Sequence, residues 1–124
     1  MRAGTHRQTG APLAIKMVSR NKLDAYYDTK LHDEITVLSE LRHPNIIRLY
    51  EVIEEPKMYY LVFEKMSGGE LFHRIVKKKF FTEKDVRDVG RMMLQALSHC
   101  HDHQIAHRDL KPENVLFEVS VLVE

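Results

Sequence analysis

Within His107-Arg108-Asp109-Leu110-Lys111-Pro112-Glu113-Asn114, an aspartate, a lysine and an asparagine fall inside one short stretch. Phosphoryl transfer to a hydroxyl calls for these side-chain types. A carboxylate must accept or orient the hydroxyl proton, a cation must neutralise the moving phosphoryl group, and oxygen ligands must hold metal ions nearby.

A second pair of residues sits awkwardly unless the two meet. Lys16 is the one charged residue in Leu13-Ala14-Ile15-Lys16-Met17-Val18, and a lone lysine on a strand is ordinarily a solvated edge residue. Glu34 falls inside a helical face made by Leu31, Ile35, Leu38 and Leu41. A carboxylate there is costly without a cation, and Lys16 is the natural one. The expectation is therefore a Lys16–Glu34 ion pair.

These residues need elements to carry them. Thr9-Gly10-Ala11-Pro12 reads as a turn and residues 13–18 as a strand. Asp24 to about Leu41 reads as a helix, ended by His43-Pro44-Asn45 because proline disfavours helix in the residue before it. Residues 46–52 and 58–63, rich in β-branched and aromatic side chains, read as strands joined by a turn at Glu54-Glu55-Pro56-Lys57. Ser67-Gly68-Gly69 marks a boundary, and Glu70 to Lys77 suits a short helix. Thr82 with Asp85 has capping-box spacing, with Phe81 and Val86 placed for a hydrophobic staple. Val86, Val89, Met93, Leu97 and Cys100 continue an apolar stripe, and the helix is expected to fray over His99–Gln104. Residues 107–114 read as a loop and 115–123 as strand-like. No repeat or low-complexity segment is present.

The bulk numbers narrow the field. The chain has 124 residues, 44% hydrophobic and 30% charged, in keeping with one globular domain. A net charge of +1 makes no general case for nucleic acid or an acidic membrane. No apolar run reaches the roughly 20 residues of a membrane span, and the polar start lacks a secretory pattern. One cysteine excludes an internal disulfide and suits a reducing intracellular setting, cytoplasmic or nuclear. His99, His101, His103 and His107 invite a metal reading, but only Asp102 could complete a set, so a polar helix end is the preferred reading.

The eight residues HRDLKPEN resemble the catalytic loop of protein serine/threonine kinases, and eight matches in order leave little room for a chance polar turn. The resemblance implies Asp109 as catalytic base, Lys111 on the transferring phosphate, Asn114 on a magnesium ion and Arg108 as an orienting residue. Leu13-Ala14-Ile15-Lys16 is similar to the VAIK strand of the family, with Leu for Val, which implies that Lys16, held by Glu34, meets the α- and β-phosphates of ATP. Leu61 to Leu71 resembles the hinge between kinase lobes. There the backbone carbonyl of Glu64 and amide of Met66 match adenine contacts, Phe63 the gatekeeper, and Glu70 a carboxylate for ribose or for an arginine upstream of the target residue. Ala14, Leu71 and Leu116 match the apolar adenine sandwich. GGELFHRI resembles the calcium/calmodulin-dependent group.

The resemblance thus implies an α+β, two-lobe kinase-like fold, incomplete, with residues 1–63 in the small lobe, 64–70 as hinge and 71–124 as the start of the large lobe. It implies ATP and Mg²⁺ as cofactors and Ser/Thr-containing protein substrates, basophilic where Glu70 meets an upstream arginine, with kinase regulators as further partners. No nucleic acid or membrane is expected as partner. A glycine-rich loop and an Asp-Phe-Gly segment are not found in the sequence, so the isolated chain is expected to be inactive or nearly so. A non-catalytic interaction or regulatory fragment is the alternative.

Overall fold

A computed structural model describes residues 1–22, 24–78 and 80–118. The fold is α+β. Among the described residues four strands form one antiparallel sheet: β1 (Arg2–Thr5), β2 (Pro12–Ser19), β3 (Leu49–Glu54) and β4 (Met58–Glu64), in the order β1-β2-β4-β3. The described residues also form three α-helices: α1 (Ala25–Glu40), α2 (Leu71–Lys78) and α3 (Glu83–Asp102). Short 3-10 turns cover Arg20–Lys22 and Pro112–Asn114. The chain divides into two compact units, one of residues 1–42 with 46–65, the other of residues 43–45 with the chain from Met66 onward.

In the first unit β1 is a strand more than the sequence reading expected. Its residues carry no apolar alternation, and it forms because β2 offers a pairing edge, with Arg2 opposite Ile15 and Thr5 opposite Pro12. The turn between them closes through His6 N–H to Ala11 O (2.8 Å) and Gly10 N–H to His6 O (2.8 Å), with Gly10 at φ +72°. A left-handed backbone there suits glycine. β3 begins at Leu49 rather than Ile46, because the turn after Pro44 takes up the residues between.

Helix α1 is capped by Asp24, whose side chain accepts from the Tyr27 amide at 3.0 Å. It rests on the sheet by a narrow seam. Ile35 packs with Leu49, Tyr59 and Leu61, and Leu31, Val18, Val52 and Phe63 close around them. Leu38, expected on the buried stripe, is 41% exposed, and Glu34, expected inside it, is exposed as well. The sheet covers the Leu31–Ile35 edge of the helix, and Leu41, the C-cap, is buried as expected.

In the second unit Thr82 and Asp85 form the expected reciprocal cap. The Thr82 hydroxyl accepts from the Asp85 amide and the Asp85 carboxylate from the Thr82 amide, each at 3.1 Å. Lys78, at the end of α2, reaches the same carboxylate at 3.0 Å. Val86 is 60% exposed, so it is not part of a buried stripe; Cys100 is buried. The helix does not fray at His99. It runs to Asp102, where the His103 amide donates to the Cys100 carbonyl at 3.1 Å and the Gln104 amide to the His101 carbonyl at 2.9 Å. Asn45 braces it from outside, its side-chain amide donating to Met92 O at 3.3 Å.

Residues 115–118 form no regular strand. They pair with the segment before α2: Gly68 N–H donates to Phe117 O (2.7 Å), Phe117 N–H to Gly69 O (2.9 Å) and Leu71 N–H to Val115 O (2.8 Å). Gly69, at φ +77°, allows this close backbone approach. The rest of the strand-like stretch expected over 115–123 lies outside the described residues.

Candidate active-site loop

The loop after α3 is held by its own side chains. Arg108 takes a left-handed backbone, φ 63°, which a non-glycine residue adopts only when its surroundings impose it. The Asp109 amide donates to His107 Nδ1 at 3.2 Å. Asn114 closes the loop, its Nδ2 donating to the Asp109 backbone oxygen at 2.8 Å and to Asp109 Oδ2 at 2.9 Å. Lys111 Nζ stands 3.3 Å from Asp109 Oδ1. Proline at the first position of the 3-10 turn helps set this geometry, and α2 packs beside that turn.

Asp109 is therefore an exposed carboxylate with one oxygen on an amide and the other beside an ammonium. Its carboxyl lies below the usual aspartate range, first because of the Asn114 hydrogen bond and then because of Lys111. At neutral pH it is an ionised acceptor reachable from solvent. With its Nδ2 engaged by Asp109, Asn114 retains its amide oxygen as a possible ligand. That fits Mg²⁺, which takes a few protein oxygens and completes its shell with phosphate oxygens and water. Among the described residues no group of three or more His, Cys, Asp or Glu is arranged to hold a metal by itself.

Glu70 and Leu116 form an isolated antiparallel bridge, and Glu70 Oε2 lies 3.4 Å from His73 Nδ1. Arg74 lies over the Phe117 ring at 3.6 Å and donates to Gly68 O at 3.1 Å. Met66 belongs to this unit too.

The remaining expected residues lie in the first unit. β2 pairs with β4 so that Ala14 faces Phe63 and Lys16 faces Leu61. Side chains alternate along a strand, so Ala14, Lys16, Leu61 and Phe63 share the face that packs against α1. Lys16 thus lies on the α1 face. The ion pair expected between Lys16 and Glu34 is nevertheless not formed. Among the described residues ion pairs join Arg20 to Asp28 and Glu54, Glu70 to His73, Lys78 to Asp85, Lys84 to Asp88 and Lys111 to Asp109, and none joins Lys16 to Glu34. Both side chains are exposed. The premise of the expectation was a buried carboxylate, and a hydrated one needs no partner. Glu64 uses its side chain locally, accepting the Arg48 amide at 2.6 Å.

Two features escaped the sequence reading. His107 holds the Asp109 amide, a role its two-residue spacing could have suggested. Arg20 forms a network with no local signal, since one of its partners lies 34 residues away.

The chain belongs to the protein kinase domain family, which it matches over residues 1–122. Within that family it is similar to calcium/calmodulin-dependent members. It is 41% identical over 116 residues to calcium/calmodulin-dependent protein kinase type II of Caenorhabditis elegans, covering 94% of this chain and 16% of that protein. It is 47% identical over 105 residues to calcium/calmodulin-dependent protein kinase type 1 of Macrobrachium nipponense, covering 85% and 30%. CBL-interacting protein kinase 1 of Oryza sativa subsp. japonica is 44% identical over 114 residues, covering 91% and 25%. The chain therefore spans less than a third of the length of these relatives. No helix among the described residues is long and apolar enough to cross a membrane.

Proposed function

We propose that this chain carries the phosphoryl-transfer loop of a protein serine/threonine kinase, with Asp109 as the base. The observation that carries the reading is the double hydrogen bond from Asn114 to Asp109, with Lys111 on the opposite carboxylate oxygen. In the reaction a substrate serine or threonine hydroxyl attacks the γ-phosphorus of ATP. The bond from that phosphorus to the bridging oxygen breaks, ADP leaves, and the hydroxyl proton passes to Asp109. Lys111 lies where a cation can offset charge on the transferred group. Asn114 offers its amide oxygen to Mg²⁺, which when bound with ATP neutralises phosphate charge. Arg108 orients the loop.

On this reading Lys16, Glu34, Ala14, Phe63, Glu64, Met66, Glu70 and Leu116 serve the nucleotide, and residues 64–70 act as a hinge. Glu70 is also the acidic group that would favour substrates with an upstream arginine. Because Lys16 is not held by Glu34, the chain grips nucleotide phosphates weakly and transfer is slow, positioning being most of the catalysis in this chemistry.

The test is transfer of labelled γ-phosphate from Mg·ATP to a basic serine peptide. Slow incorporation that falls about 10²–10⁴-fold in Asp109→Asn supports the assignment. Incorporation equal in the two proteins contradicts it.

A further inference from the structure

Arg20 is the most heavily engaged cation of the first unit. Its Nε and one terminal nitrogen grip Asp28 in a planar fork, at 3.1 Å to Oδ1 and 2.7 Å to Oδ2. Its other terminal nitrogen donates to Glu54 Oε1 at 2.7 Å and to the Glu55 carbonyl at 3.2 Å. The guanidinium carbon stands 4.7 Å from the centroid of the Tyr59 ring, and Tyr59 is only 1% exposed. The Arg20 and Asp28 side chains are themselves mostly covered, at 23% and 25% exposed.

The partners divide by element. Glu54, Glu55 and Tyr59 belong to β3, β4 and the turn joining them, and Arg20 follows directly on β2. Together they make a socket that belongs to the sheet. Asp28, in the first turn of α1, is the helix group that enters it. Two contacts then fix the N-terminal half of the helix. The Leu31–Ile35 seam is one, and it is narrow, because Val37 and Leu38 are 39% and 41% exposed before the chain is buried again at Leu41, the C-cap. A helix held along one short seam can swing about it. The Arg20–Asp28 fork, near the N-terminal end, removes that freedom. A guanidinium suits this post because its planar donors match a carboxylate two at a time, which an ammonium cannot do. The hydrogen bonds from Arg20 also hold the Asp28 carboxyl below its ordinary range, with a smaller contribution from Tyr59.

We propose that Arg20 is a positioning residue: through Asp28 it seats α1 on the sheet and so sets where Glu34 stands relative to Lys16. The link to nucleotide rests on the functional reading above, whereas the seating of the helix does not. Arg20 acts through Asp28 and not on substrate. Its effect reaches the reaction by way of α1.

The experiment places nitroxide labels at Asp33→Cys on α1 and Thr5→Cys on β1, both exposed positions, with the buried Cys100 left in place. Pulsed electron resonance gives the distance distribution between them, and calorimetry gives the Kd of Mg·ATP. With Arg20 and Asp28 intact, a single narrow distribution is expected. Arg20→Ala and the near-isosteric Asp28→Asn broaden it at temperatures where circular dichroism shows folded protein. Arg20→Lys, which keeps the charge and loses the fork, broadens it less. Lys84→Ala, which removes an ion pair on α3, leaves it unchanged. A lowered melting temperature with an unchanged distribution in both Arg20→Ala and Asp28→Asn overturns the proposal, since a merely stabilising ion pair would behave so. Should Arg20→Ala fail to fold, Asp28→Asn decides by the same criterion. Broadening in a chain that binds no Mg·ATP supports the seating and counts against the nucleotide reading instead.

Discussion

Asn114 Nδ2 stands 2.8 Å from the backbone oxygen of Asp109 and 2.9 Å from its Oδ2, so one amide group ties down both the main chain and the side chain of the aspartate. The same contact is the leading reason that the Asp109 carboxyl lies below the usual aspartate range. Replacing Asn114 by Ala should therefore raise the Asp109 pKa towards that range. Carbon-13 detection of the Asp109 side-chain carboxyl across a pH titration measures it. An unshifted titration in Asn114→Ala would show that the contact does not hold the charge.

The cap of α3 makes an acid-stability prediction with a definite sign. Asp85 is drawn down to about 2 from 3.8, first by the Lys78 hydrogen bond and then by the Thr82 backbone amide. A carboxyl with a depressed folded-state pKa contributes its full stabilisation above the unfolded value and loses it as pH falls through the folded one. Helical circular dichroism should accordingly weaken between about pH 4 and pH 2, and Asp85→Asn should flatten that part of the profile. Thr82→Ala should cost about 1 kcal/mol at neutral pH, the usual worth of an N-cap.

Packing distinguishes two α1 residues that share a nominal apolar stripe. Ile35 is 5% exposed against Leu49, Tyr59 and Leu61, whereas Leu38 is 41% exposed. Urea unfolding should show Ile35→Ala costing roughly 2–5 kcal/mol. Leu38→Ala should stay within about 0.5 kcal/mol. Similar losses at both positions would mean that the helix packs by a wider face.

Lys16 and Glu34 should behave as independent residues in this chain. A double-mutant cycle of Lys16→Met and Glu34→Gln, read by thermal unfolding, should give a coupling below about 0.5 kcal/mol. A coupling of 1 kcal/mol or more would reveal a pair that forms in solution.

How far these features were legible in the sequence follows from the range of the forces behind them. The 24–41 helix, observed as Ala25–Glu40, and the Thr82–Asp85 cap depend on residues close in the chain, and so does the loop at 107–114. β1 could not be read because its polar residues borrow their register from β2. Glu34 was misplaced for a related reason. Periodicity names a helix face, but the sheet decides which edge of it is covered, and here it covers Leu31 and Ile35. The Arg20 network was invisible because Asp28, Glu54 and Tyr59 come together only once α1, β3 and β4 have folded.

A metal–nucleotide site of the protein kinase type at the Asp109–Asn114 loop would have a direct spectroscopic signature. Paramagnetic broadening by Mn²⁺ with a non-hydrolysable ATP analogue tests it most directly, because it needs no turnover. Selective loss of the Asn114 side-chain amide and Asp109 backbone resonances is expected as the complex is added, reversed by excess Mg²⁺. Resonances at Asp109 and Asn114 that stay sharp while the nucleotide complex is shown to bind would contradict it.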